Sequence, residues 1–325
     1  MELYPLKFNP IFSYRIWGGE KLKTVLNKTY NADSIGESWE ISDIEDSETL
    51  VAHGPLKNKS IKQLIAHYKS DFLGKKVYES FGLEFPLLIK FIDAKTPLSI
   101  QVHPDNALAK QRHDSFGKNE MWYVMQADQG AELIVGFKTQ TNKETYLEHV
   151  NNGKLTTILN NENVKKGDTY YIPAGRVHAI GAGVLLAEIQ QKSDITYRIY
   201  DYDRVDKKTG KTRALHTQQA IDAIDYNFEN QYKTDYITKK NNTTKLVHSP
   251  YFTTNIIDLN GSVNKDYSKT DSFVIYMCVE GELQITHNQK NYQLHTGETI
   301  LLPALLNKIE LKSTINTRIL EVYLD

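Results

Sequence analysis

Apolar positions recur at two spacings along this chain, and the two-residue spacing dominates. Around 14–19 (Tyr-Arg-Ile-Trp-Gly-Gly) and 35–43 (Ile-Gly-Glu-Ser-Trp-Glu-Ile-Ser-Asp), bulky residues alternate with carboxylates and glycine. This pattern predicts strands and turns through residue 55. Residues 85–92 form an apolar run of β type broken by Lys90. A lysine there either marks an edge or surface position or points into a site. Residues 99–103 (Ser-Ile-Gln-Val-His) alternate strictly, so Ser99, Gln101 and His103 share one strand face while Ile100 and Val102 share the other. The β pattern resumes at 120–124. It continues over 168–202, with turns at Pro173-Ala174-Gly175 and Gly181-Ala182-Gly183. From Val247 onward the chain reads as strand throughout, with a turn at Glu280-Gly281.

Helical spacing is confined to short stretches. Ser60 caps a helix in which Ile61, Leu64, Ile65 and Tyr68 fall on one side. Pro104 ends the preceding strand, and Asp105 caps a turn of helix through Lys110. Thr141 with Glu144 forms a capping box leading a helix to about Val150. A helical turn is expected at 155–159 and a helix at 217–226, followed by a polar linker over 227–245.

Two segments of the β pattern resemble each other. Gly167-Asp168-Thr169-Tyr170-Tyr171-Ile172-Pro173 and Gly297-Glu298-Thr299-Ile300-Leu301-Leu302-Pro303 both run glycine, acid, threonine, three bulky residues, proline. This weak repeat predicts two similar β-barrels, one near 85–205 and one over 245–325. The chain then divides into 1–235, with short helical insertions, and 236–325.

A length of 325 residues with 40% apolar content suffices for well-packed cores. The formal net charge of −1 argues against nucleic acid or a membrane surface as partner, so any anion must be held by a local basic cluster. Cys278 is the only cysteine, which excludes an intramolecular disulfide and suits a reducing compartment. The start of the chain lacks a basic segment followed by an apolar one, and the greasy run near 299–306 is too short to span a bilayer. A soluble, cytoplasmic protein is expected, as a monomer or a homodimer.

Three polar, metal-capable groups on one strand face need a reason. A metal site supplies one if Glu120 and His178 come round to meet Ser99, Gln101 and His103. The spacing Gly167, Pro173, Gly175, His178 matches the second signature of the cupin superfamily, and Gln101-Val102-His103 with Glu120 resembles the first, its leading histidine replaced by glutamine. The fold class expected is therefore mainly β, with two cupin-type (jelly-roll) β-barrels and a few short helices. The other histidines, at 53, 67, 113, 149, 216, 248, 287 and 295, read as solvent-facing or internally satisfied. Trp17 and Trp39 read as core packing, with the lining of a sugar pocket as the alternative.

The motifs Ser-Ile-Gln-Val-His-Pro-Asp (99–105), Lys-Asn-Glu (118–120), Ile-Pro-Ala-Gly-Arg-Val-His-Ala-Ile (172–180) and Tyr-Arg-Ile-Tyr-Asp-Tyr (197–202) resemble the type I mannose-6-phosphate isomerase family in its short bacterial form. The resemblance covers essentially the whole chain. It implies one zinc ion on Gln101, His103, Glu120 and His178, a catalytic role for Arg198, and places for Lys90, Ser99, Lys118 and Arg204 near a sugar-phosphate substrate. The larger family members carry a substantial helical domain that this chain mostly lacks. The implied reaction interconverts mannose 6-phosphate and fructose 6-phosphate through an enediol.

Zinc suits two imidazoles, one carboxylate and one amide oxygen, and the neutral glutamine leaves a single formal negative ligand. Arg198 on an inward strand face would stabilise an enediolate; its alternative is a salt bridge with Asp194 or Asp201. The general base is open among a water held by the metal, Glu40, Glu188 and a histidine. In the second barrel, Leu305 stands where Gly175 does and Lys308 where His178 does, so no metal is expected there, and its role reads as structural. Two rival readings share the ligand set: an iron(II) cupin oxygenase, and a non-enzymatic or regulatory sugar-binding cupin.

Overall fold

The computed structural model describes residues 2–325. The β pattern becomes three principal sheets. A six-stranded sheet runs in the order Thr169–Ile172, Glu120–Ala127, Val184–Gln191, Leu87–Ala94, Ile11–Gly19, Ile35–Ile41, with Ile35–Ile41 also pairing Leu87–Ala94. A five-stranded sheet runs Leu159–Asn163, Glu132–Phe137, His178–Ile180, Ile100–Val102, Tyr197–Tyr200. Both mix strands distant in sequence, as a jelly roll requires. The third sheet has seven strands from Asn242–His248 to Lys308–Tyr323. The chain is thus mainly β with cupin-type sheets, and the longest of its helices has nine residues.

The internal repeat is real at the level of backbone pairing. Val124 donates to the Asp168 carbonyl and accepts from Gly167 N–H; Cys278 donates to the Glu298 carbonyl and accepts from Gly297 N–H. Both glycines have φ near +90° (93° and 84°), the left-handed turn that brings the following strand back against its neighbour. The register then coincides residue for residue: Ile172 stands opposite Glu120, and Leu302 opposite Val274.

Most short helices sit where expected. Ser60 and Gln63 form a reciprocal capping box on Ile61–Tyr68. Asp105 caps a helix that runs on past Lys110, Asn106–His113. At the next helix the cap lies one residue beyond Thr141: Asn142 accepts from Thr145 N–H, and Thr141 is buried. Residues 155–158 form a 3₁₀ turn, and the helix expected over 217–226 stops at Ala223. Two helices absent from the sequence pattern, Ser70–Leu73 and Lys75–Phe81, flank Gly74.

The polar stretch 227–245 is not a free linker. Tyr232 is buried and donates to the Phe137 carbonyl, Tyr236 donates to the Gly167 carbonyl at 2.5 Å, and Asn242–His248 is already a strand. One apolar cluster also runs from the N-terminal half into the C-terminal sheet. In it the rings of Phe85 and Phe273, both fully buried, meet at a 38° tilt with centroids 4.8 Å apart, and Leu6 pairs with Leu301. The C-terminal sheet is thereby fixed against the back of the six-stranded one.

Candidate active site

Two rows of side chains face each other between the six- and five-stranded sheets. Register places Trp122, Glu188, Lys90 and Trp39 side by side across four neighbouring strands. On the facing sheet, Gln101 lies between His178 and Arg198. Between the rows is a cavity of about 440 Å³ whose lining includes Gln101, Lys118, Lys90, Glu188, Ser99 and Arg198. Trp17 and Trp39 line it while remaining almost wholly buried, so each serves both of the roles considered for it.

Behind the lining residues Gln101 and Lys118, His103, Glu120 and His178 bring one ligand atom each to within 4.8 Å of one another. His178 Nε2 is 3.3 Å from Glu120 Oε1, and His103 Nε2 is 3.5 Å from Oε2. Each imidazole is oriented from behind by a backbone carbonyl, which can only accept. His103 Nδ1 donates to Ile195 O at 2.9 Å and His178 Nδ1 to Arg176 O at 2.8 Å. The Nε2 atoms therefore present lone pairs. Both Nε2 atoms and both Glu120 oxygens are buried without a hydrogen-bond partner. Four converging acceptors, with the Lys118 ammonium beside only one of them, are costly to bury unless a cation sits among them.

The electrostatics agree. Burial, reinforced by the Lys118 ammonium, lowers the His103 pKa to about 3, and burial lowers that of His178 as well, so both rings are neutral. Against the upward push of burial, the Lys118 ammonium holds the Glu120 carboxyl well below its usual range. Lys118 Nζ lies 3.2 Å from Glu120 Oε2 as a buried ion pair. Two neutral imidazoles and one carboxylate form a donor set that divalent transition metals accept. Gln101 lines the cavity beside this cluster, and its amide makes no hydrogen bond among the described residues.

The remaining expected residues divide. Lys90 points inward: its Nζ lies 2.7 Å from Gln190 Oε1, 3.2 Å from Glu188 Oε1 and 5.2 Å from the Trp39 ring centre. Ser99 is buried and accepts from Arg198 Nε at 3.3 Å. Arg198 also donates from Nη1 to Ala214 O at 3.0 Å. It pairs with neither Asp194 nor Asp201, so the salt-bridge alternative is not what the structure forms. Burial and the nearby Arg213 lower its pKa from the ordinary arginine value.

Arg204 does not line the cavity, contrary to expectation. Its guanidinium turns to Asp201 and to the Pro97 carbonyl, because Tyr202 and Asp203 both adopt left-handed φ and reverse the chain before it. Glu40 is also displaced from the reaction. It is hydrogen-bonded by Ser38 and paired with Lys28 at 2.6 Å, away from the cavity. Glu188 remains: Trp122 Nε1 donates to its Oε2 at 3.0 Å, and burial together with Glu120 raises its pKa.

Four charged lining residues escaped the sequence reading: Arg15, Glu37, Asp206 and Arg213. Glu37 is held at a pKa of about 2: burial pushes it up, but Lys90 and Arg15 outweigh burial. Its signal lay in the alternation of 35–41, which puts Glu37 and Trp39 on one face and Ser38 and Glu40 on the other.

Jelly-roll sheets around a buried cluster of two histidines and a glutamate, next to a cavity lined by charged side chains, define a cupin with a candidate metal centre. Comparison with known proteins narrows the class. Residues 6–142 match the family description "Phosphomannose isomerase type I, catalytic domain", and residues 242–323 match "Mannose-6-phosphate isomerase, cupin domain". The mannose-6-phosphate isomerase of Streptococcus mutans is 35% identical over 300 residues, 92% of each chain. A mannose-6-phosphate isomerase of Bacillus subtilis is 34% identical over 315 residues, 96% of this chain and 97% of the relative. A crystal structure of the mannose 6-phosphate isomerase from Bacillus subtilis superposes with a TM-score of 0.87 at 31% identity, covering 98% of this chain and 99% of that one. The chain belongs to the type I phosphomannose isomerase family. It is an enzyme of that family, which sets aside the oxygenase and the non-catalytic sugar binder. Among the described residues no helix is long and apolar enough to cross a membrane.

Proposed function

We propose that the chain interconverts mannose 6-phosphate and fructose 6-phosphate, using one zinc ion held by Gln101, His103, Glu120 and His178. The observation that carries this reading is the set of four buried acceptor atoms next to the cavity, which is lined by a guanidinium with no carboxylate partner. Zinc bound there supplies Lewis acidity, polarising a carbonyl and stabilising negative oxygen, worth roughly several kcal/mol of a barrier.

The chain's own residues do the rest. Arg198, fixed by Ser99 and the Ala214 carbonyl, keeps Nη2 free to hydrogen-bond a developing enediolate oxygen, and a guanidinium stays charged throughout. Glu188 is the carboxylate placed to take the proton that moves between C1 and C2. Its raised pKa brings it nearer the operating pH, which favours both loss and return of a proton. Lys90, 3.2 Å from Glu188, steadies its ionised form, and Lys118 neutralises Glu120. Trp17 and Trp39 give the sugar an apolar wall that excludes water.

Residues 1–235 carry the site and 236–325 support it structurally. One chain supplies the whole cavity, so a monomer suffices and a homodimer is compatible; the reaction is placed in the cytoplasm. The test is a coupled assay for fructose 6-phosphate, run before chelation, after it, and with zinc restored. Activity that follows zinc supports the reading, and full activity in metal-free protein overturns it.

A further inference from the structure

A hexose 6-phosphate carries its reacting carbons and its phosphate at opposite ends. With C1 and C2 at the Gln101 and Lys118 end of the cavity, next to the buried cluster, the phosphate must lie toward the mouth. The lysines assigned to substrate do not reach it: Lys90 and Lys118 are each 7% exposed and each paired with a carboxylate. Two more exposed arginines take that place, Arg15 at 33% and Arg213 at 20%; each also holds a carboxylate, Glu37 at 2.8 Å and Asp201, but both reach solvent as the lysines do not. With Arg198 they line one side of the cavity, close enough that Arg15 and Arg213 both act on the charge of Arg198.

Arg213 ends a small hairpin. Val205 bridges to Thr212, and Asp206 and Lys211 are joined by a backbone hydrogen bond. The stem is closed by Asp201, which takes Arg213 Nε at 2.8 Å and Nη2 at 2.5 Å. The tip is tied to the strand that carries Arg15: Tyr14 donates to Asp206 at 3.1 Å, and Lys208 Nζ lies 3.5 Å from the Tyr14 ring centre. These contacts leave Arg213 Nη1 without an acceptor among the described residues. Asp201 is shared between Arg204 and Arg213, so two guanidinium charges meet one carboxylate. Asp194 and Asp206 also line the cavity, but Asp206 is engaged by Tyr14 and the Lys208 N–H.

We infer that Arg213, with Arg15, forms the phosphate-binding clamp, and that the hairpin 205–212 holds it in place. This assignment rests on the isomerase reading for the identity of the sugar, but not for the anion itself. A phosphate monoester takes planar, forked donors best, and spare guanidinium N–H groups supply them.

The test is calorimetric titration with inorganic phosphate alone, on the wild-type protein and on the R213A and R204A variants. R213A is expected to bind phosphate about ten- to a hundredfold more weakly, and R204A within about threefold of wild type. If R213A does not fold, Arg213→Gln, which keeps most of the stem, replaces it. Arg213 variants within threefold of wild type, or equal losses in the Arg213 and Arg204 variants, overturn the clamp. Turnover separates the two readings. A wild type that isomerises mannose 6-phosphate while Arg213 variants keep phosphate binding sinks the clamp alone. A wild type that binds phosphate through Arg213 but forms no fructose 6-phosphate sinks the isomerase reading alone.

Discussion

Gln101 stands directly opposite His178 across two antiparallel strands, and the two side chains therefore share one face of the five-stranded sheet. A single register thus fixes two of the four proposed ligands, while Glu120 arrives from the facing sheet. His178→Ala removes one of four donors and leaves the Glu120 carboxylate short of a partner. The variant is expected to hold zinc at least about 100-fold more weakly and to lose turnover with it. Metal content after dialysis against a calibrated chelator checks this. Stoichiometric zinc in the variant would refute the ligand assignment.

Arg198 adjoins Gln101 on the other side, and its fixed guanidinium acts on the transition state more than on bound substrate. Arg198→Ala is expected to lower kcat about 10²- to 10³-fold, to raise KM by a smaller factor, and to leave zinc content unchanged. Steady-state kinetics beside metal analysis decide it. An unchanged kcat would return Arg198 to a structural role.

The metal-free protein should weaken as it is acidified. His103 titrates near 3 in the folded chain and near 6.5 once unfolded. Between those values the unfolded chain binds the proton and the folded one does not, so stability is full above about pH 6.5 and falls as pH drops toward 3. The slope from this one group reaches at most about 1.4 kcal/mol per pH unit. Chelated wild type should lose Tm between pH 7 and 5 more steeply than chelated His103→Gln. Parallel curves would show that His103 is not held neutral by the fold.

What the sequence disclosed follows from how locally each feature is encoded. The cluster of His103, Glu120 and His178 was legible because each ligand sits in a turn-and-strand motif of fixed spacing. Arg15 and Arg213 were not. Arg213 reaches the cavity only after the chain turns at Tyr202 and Asp203, both at left-handed φ, and enters the hairpin 205–212; no spacing rule anticipates that turn at a tyrosine. The same reversal explains why Arg204, nearer to Arg198 in sequence, ends up outside the cavity. The helices at 70–81 escaped because each is too short to show a period and Gly74 divides them.

The register shared by the two repeats carries the last prediction. Val274 occupies in the C-terminal sheet the place that Glu120 occupies in the first, opposite Leu302 rather than Ile172. Two residues earlier, where Lys118 meets Glu120, stands Ser272, and where His178 begins the next strand stands Lys308. Val274 is 2% exposed in an apolar cluster with Tyr276 and Leu302. A carboxylate there would have no ammonium beside it. Val274→Glu is therefore expected to destabilise the chain by about 3–5 kcal/mol at pH 7, against under about 1.5 kcal/mol for Val274→Leu. The penalty should shrink in acid, because a protonated side chain needs no counter-charge. Denaturant titration of the two variants at pH 7 and pH 5 measures both effects. Equal stability of the two at pH 7 would mean that Lys118 is not what makes a buried glutamate tolerable at position 120.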